Sequence, residues 1–299
     1  MPSSALQAAR PGIRTPRPSF GQVVRAAAWL GWQIHFNWMS HPLWMVAYIL
    51  LRPLATVAIL VVMYGVVTQG AWHDPLFAYL YVGNAFYMFV GGIFQDVAWA
   101  VIDDREHYYT LKYLALAPMD LMAYLLGRGL TSIVLSSRSV LVVLVAGVWL
   151  LDLPLDLRAV DWPLLGLSMA LGMVVLVFMG LLLAAVSLNA TRYLWVLGEA
   201  VGGALYLFSG AIFPLEVLPR ALQPVGRVLP ITYWLELVRR ALLPGVAAQF
   251  PTWQGVPTAT VLTYFVLSAG ATILLGWWAF RWGERRARAQ GLLERTSEW

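Results

Sequence analysis

The 299-residue sequence predicts an all-α polytopic membrane protein. The expected plan is an N-terminal interfacial amphipathic helix, six transmembrane helices, and a broken re-entrant helical hairpin between spans five and six. Three observations predict it. The chain is 60% hydrophobic and only 12% charged, against about 25% charged in an ordinary soluble domain. Six apolar runs, Leu43–Val67, Leu76–Ile102, Leu130–Leu151, Leu164–Leu188, Leu194–Phe213 and Thr258–Phe280, each have room for the roughly 20 residues that cross a bilayer core. The 15 Trp and 13 Tyr gather near the ends of these runs, as an aromatic belt requires.

Composition also excludes. There is no cysteine, which removes disulfides, thiolate catalysis and Cys-ligated metals. The basic residues are arginines apart from Lys112, and the net charge of +5 fits membrane orientation. No stretch has the form of a nucleic-acid-reading motif, so no nucleic-acid partner is expected.

Taken in order, residues 1–19 carry Arg10, Arg14 and Arg17 among prolines, with no apolar core. They read as a flexible cytoplasmic tail, not as a secretory signal. In residues 20–41, Val23, Ala27, Leu30, Ile34 and Trp38 form a stripe near the helical period, with Gln22, Arg25, Gln33 and Asn37 off it. That pattern predicts an interfacial helix, the alternative being the inner start of a long first span. Residues 42–280 then form the membrane domain and 281–299 a second basic tail. With the N-terminus inside, Arg105, Lys112, Arg128, Arg192 and Arg281–Arg295 all fall inside. The acidic loop 152–162 falls outside. This bias places both termini in the cytoplasm.

Residues 103–128 form an inner loop that opens with Asp103, Asp104, Arg105 and Glu106, where a helix dipole favours acids. Four ionisable residues fall inside spans: Arg52, Asp96, Arg138 and Glu199. Charge at that depth is costly unless paired or wet. Arg52 is expected either to neutralise Asp96 or Glu199 near an inner cavity or to snorkel to the headgroups. Gly198 and Gly202 make a GxxxG pattern that suits close helix approach, in a dimer contact or within the subunit.

Residues 209–243 cannot be an ordinary span. Pro214, Pro219, Pro224 and Pro230 interrupt the backbone. Glu216, Arg220, Arg227, Glu236, Arg239 and Arg240 are too many charges to face lipid. Two short amphipathic helices are expected, near residues 215–228 and 232–243. No Gly-rich Lys-Ser/Thr loop exists to hold nucleotide phosphates. His35, His41, His73 and His107 are scattered, without metal-ligand spacing. No metal and no catalytic residue are expected.

The hairpin also carries a resemblance. The order Ser-Gly, Phe-Pro-Leu-Glu-x-Leu-Pro, short helix, Leu-Pro-Ile-Thr-Tyr, short helix, last span resembles the membrane subunit of type-2 ABC exporters. The loop at 103–129 adds an acid-rich start, Leu-Lys-Tyr, Ala-Pro and Gly-Arg-Gly. The likeness covers about residues 20–280 and implies a plasma-membrane (inner-membrane) permease that moves drugs, lipids or glycolipids outward. It implies two copies of an ABC ATPase partner that hold ATP and Mg, with no cofactor in this chain, and a second permease subunit, identical or sister. It implies an ATPase-coupling loop at Asp103, Asp104, Arg105, Glu106, Tyr109, Lys112 and Tyr113. It also implies an outer gate shaped by Pro214, Glu216, Pro219, Pro230 and Glu236. Two other classes stay open: an ion-coupled secondary transporter that uses the intramembrane charges, and a membrane-embedded transferase.

Overall fold

The computed structural model describes residues 18–38, 41–190, 194–250 and 253–294. Most of the expected N-terminal tail and residues 295–299 of the C-terminal tail lie outside them. The described residues are helical, with no strand. The helices are α1 (Phe20–Trp38), α2 (Ala47–Thr68), α3 (Pro75–Glu106), α4 (Leu111–Leu116), α5 (Leu121–Leu151), α6 (Trp162–Asn189), α7 (Leu194–Phe208), α8 (Gln223–Val228), α9 (Pro230–Leu242) and α10 (Thr258–Ala289).

Five of these, α2, α3, α5, α6 and α10, are long and apolar enough to cross a membrane. The sequence predicted six. The sixth, α7, has 15 described residues, about 22 Å at 1.5 Å per residue. It stops at Phe208 because Gly210 adopts φ +75°, a left-handed turn that glycine takes without strain. Other helices run longer than expected. Asp120 caps α5 by accepting from the Met122 amide at 2.9 Å, so that helix starts nine residues before Leu130. The last helix continues past Phe280 to Ala289, so the boundary drawn at 280 falls inside it. Two spans contain π-helical turns, Ala47–Leu51 in α2 and Val90–Phe94 in α3. The first lies just before Pro53, whose missing amide breaks the regular ladder there.

The most apolar and most buried span, α6, is the centre of the bundle. Against it, α10 packs at Gly276 and Gly283. A Cβ on Gly276 would lie 2.6 Å from the Phe178 carbonyl, so only glycine lets the two helices approach this closely. Asn189 Nδ2 donates to the Gly283 carbonyl at 3.1 Å across the same seam. On the other side α6 meets α3, and α3 meets α5, α2 and α7.

The first helix does not lie flat across the bundle. It runs alongside α5 in the same direction. Val24 sits against Gly127, Thr131 Oγ1 donates to the Ala28 carbonyl at 2.8 Å, and His35 reaches the level of Arg138. Its buried residues are Val23, Ala27 and Gly31. Leu30 of the expected stripe is exposed instead. Small side chains let the backbones touch, and that seam outweighs burial of the larger Leu. Trp29, Trp32 and Phe36 remain on the exposed face.

Candidate functional site

The inner loop divides into residues that face inward and residues that face out. Asp104 and Arg105 are buried. Asp104 accepts from Tyr124 Oη at 2.8 Å and from Thr110 Oγ1 at 3.1 Å, with Arg128 at 3.8 Å. Arg105 donates to the carbonyls of Leu188 (3.1 Å) and Ala190 (2.8 Å), groups that the end of α6 leaves without helical partners. Asp103 pairs with His107 at 3.1 Å near the surface. Tyr108, Tyr109, Lys112, Tyr113 and Leu116 are exposed, and the Lys112 ammonium lies 5.0 Å from the Tyr113 ring centroid. So α4 presents an aromatic and apolar surface.

From behind, α4 is braced by residues that sequence reasoning did not single out. Arg288 donates to the Ala115 carbonyl at 2.8 Å and pairs with Glu284 at 2.9 Å. Arg281 grips Asp120 with two hydrogen bonds of 3.1 and 2.5 Å. The spacing of Arg281, Glu284 and Arg288 at i, i+3 and i+7 was a readable signal for one charged helix face. Its target was not readable.

The outer hairpin is built around buried charge. The first expected helix is only a 3₁₀ turn, Leu215–Val217, and then α8. The prolines at 219 and 224 leave no room for a continuous helix. The second is α9, and all thirteen of its residues are buried, although an interfacial helix would show a polar face. Glu236, fully buried, accepts from Tyr79 Oη at 3.0 Å and from Arg240 Nε at 2.7 Å. Burial pushes its carboxyl above the ordinary carboxylate range, and the two arginines act against that shift. Arg240 also donates to the Val256 and Trp253 carbonyls at 2.8 and 3.3 Å. Arg239 donates to the carbonyls of Tyr79, Gly210 and Ala211 and stacks 3.9 Å above the Tyr79 ring. A Cβ on Gly83 would overlap its guanidinium. These residues tie α9 to α3, to the end of α7 and to the loop before α10. Pro214, Glu216 and Pro219 lie in the segment between α7 and α8, with Glu216 and Pro219 exposed. Pro230 opens α9.

The four intramembrane charges converge. Arg52, Asp96, Arg138 and Glu199 all line one cavity of about 630 Å³ between α2, α3, α5 and α7. The expected pair does not form: among the described residues no carboxylate lies within 4.0 Å of Arg52. Its guanidinium lies 4.9 Å from the Tyr48 ring centroid instead. Asp96 lines the cavity from α3, and the Ser132 hydroxyl donates to the Arg128 carbonyl at 3.3 Å. Toward the outer side Tyr87 Oη donates to the Gly202 carbonyl at 2.7 Å and Asn84 Nδ2 donates to Tyr206 Oη, tying α3 to α7. Gly198 faces Trp99 and Gly202 faces Gln95, so both glycines of the GxxxG pattern serve packing within this chain. Tyr48 and the two π-helical turns border the same cavity, which nothing in the sequence announced. Among the described residues no three His, Asp or Glu converge as metal ligands.

Five apolar spans, three of which line a charged cavity, define a multi-pass membrane protein. Residues 44–243, two thirds of the chain, match the family model of the ABC-2 type transporter, and the chain belongs to that family. It is thus an ABC-type transport permease, a transport membrane subunit whose family domain is not itself an ATP-binding domain and typically works with an ATPase partner. Comparison with individually curated proteins finds no match.

Proposed function

We propose that this chain is the permease of an ATP-driven exporter in the plasma membrane, with both termini in the cytoplasm. A second permease, identical or sister, completes the path, and two ABC ATPase subunits holding ATP and Mg dock below. The cargo is an amphiphilic or hydrophobic molecule of the drug, lipid or glycolipid class. The observation that carries this reading is the exposed face of α4, braced from behind by α3, α5 and α10. A push on Lys112 and Tyr113 therefore reaches three spans at once. Arg105 passes it to the end of α6. At the outer side α9 is locked to α3 and to the loop before α10, so Glu236 and Pro230 move with the bundle. The segment with Pro214, Glu216 and Pro219 lies between α7 and α8 and is the part we assign to the outer gate.

The convergence of Arg52, Asp96, Arg138 and Glu199 favours one rival, an ion-coupled transporter. Co-expression with a cognate ABC ATPase separates the two. The expected result is a complex of two permeases and two ATPases. Its ATP hydrolysis falls in Lys112→Ala/Tyr113→Ala while the permease stays folded. A chain that purifies without an ATPase, and whose transport follows a proton gradient, overturns the proposal.

A further inference from the structure

The loop helix α4 cannot hold its own shape. It has six residues, and isolated helices shorter than about 12 residues are marginal in water. The Thr110 side chain, at its N-cap, gives it no capping bond and turns to Asp104 instead. Just before it, Tyr109 stands at φ +54°, a left-handed backbone that strains a bulky residue. Yet this helix carries the exposed Lys112 and Tyr113. Its pose must be set from elsewhere in the chain.

The end of α10 sets it. That helix has 32 residues and is about 48 Å long, against a hydrocarbon core of about 30 Å. Phe280, Gly283, Glu284 and Ala287 keep one buried face running through its inner end. The chain then reverses. The Gln290 and Gly291 amides donate to the Arg286 and Arg288 carbonyls at 3.0 and 3.3 Å, and Gly291 takes φ +62°. Beyond the reversal, the 3₁₀ turn Leu292–Glu294 packs against α4, α6 and α10. Leu292 and Leu293 are the only large apolar side chains between Trp282 and Trp299. Leu293 is 6% exposed and joins the core that also takes Leu111, Leu114 and Ala115 from the back of α4. Arg288 donates to the Ala115 carbonyl from the same helix end. One polar and one apolar contact thus hold α4 from behind.

We propose that Leu293 is a positioning residue. Its turn latches the back of α4 and sets the pose in which Lys112 and Tyr113 meet a partner. As a latch on α4, this stands apart from the permease reading; as a control on coupling to an ATPase, it rests on it.

The chain has a single lysine, Lys112. Endoproteinase Lys-C therefore cuts the purified full chain, in mild detergent, at one place inside α4. A cut there requires local opening, and its rate follows the opened population. Leu293→Asp should speed the cut about tenfold or more, because a charge replaces a buried leucine. Leu293→Met conserves volume and should be cut near the parent rate. Thermal melting checks that each variant folds. If Leu293→Asp does not, Gly291→Val decides: its side chain meets open space, but its backbone disfavours φ +62°, so the turn is misdirected and the cut should again be faster. With a cognate ATPase added, Leu293→Asp should lower the coupled ATP hydrolysis severalfold, and Leu293→Met should retain it. An unchanged cut in folded Leu293→Asp, or in Gly291→Val where that variant decides, overturns the latch. A faster cut with unchanged hydrolysis overturns the coupling role. The cleavage assay contains no ATPase, so its failure leaves the permease reading standing. Conversely, failure to capture an ATPase leaves the cleavage result standing.

Discussion

Replacing Arg239 with alanine tests the account of the outer hairpin. The side chain is buried and donates to three carbonyls, Tyr79 at 2.9 Å, Gly210 at 2.8 Å and Ala211 at 3.3 Å. Gly210 and Ala211 follow the last residue of α7, where the backbone has turned out of the helix and has no ladder partner of its own. Leaving a buried acceptor unmade costs about 1–3 kcal/mol. With two short bonds and one long one, the acceptors alone account for roughly 2–5 kcal/mol. The stack on Tyr79 adds about 1–2 kcal/mol, since the pair is desolvated. The expected loss is therefore roughly 3–7 kcal/mol, about 6–28 °C of melting temperature on the scaling of soluble domains of similar size. Arg239→Lys should fall between, because an ammonium lacks the planar fork that reaches all three acceptors. Tryptophan fluorescence during heating in mild detergent measures both variants. If Arg239→Ala melts within a degree or two of the parent, the hairpin is not held by this residue, and the description of α9 as an anchored interior helix is wrong.

Other outcomes follow from the same geometry. Gly127→Leu should drive α1 off α5, because even a Cβ there would overlap the Val24 carbonyl. The expected result is protease cleavage within residues 20–38 of the reconstituted variant, with no cleavage in the parent. The two anchors of the inner loop should differ in strength. Asp104→Ala removes a buried partner of Tyr124 and Thr110 and should cost about 2–4 kcal/mol. Arg281→Ala breaks a half-exposed pair and should cost about 1 kcal/mol or less, an effect that shrinks at high salt. Equal losses in the two would show that burial does not rank these contacts.

Much of the fold follows from the sequence alone. Apolar runs of sufficient length must leave water, and a helix is the only local way to satisfy their backbone in lipid, so five spans were legible as soon as charge and length were counted. The prolines and charges of residues 209–243 likewise announced a break, because neither suits a lipid-facing helix. The sequence also put Arg52, Asp96, Arg138 and Glu199 at membrane depth, where the cost of charge demands an explanation. Only the tertiary structure decided what answers that cost. The four residues stand on four different helices, and local periodicity carries no information about which helix faces meet. Arg52 therefore found Tyr48 and a cavity rather than the expected acid. Asp104 and Arg105 illustrate the same limit. Their charge read as surface, yet Tyr124 and the open end of α6 offered them buried partners. In α9 the hydrophobic period was correct, but the polar face that should have met water meets Tyr79, Gly210 and Val256. A sequence records that a charge must be satisfied; packing chooses the group that satisfies it.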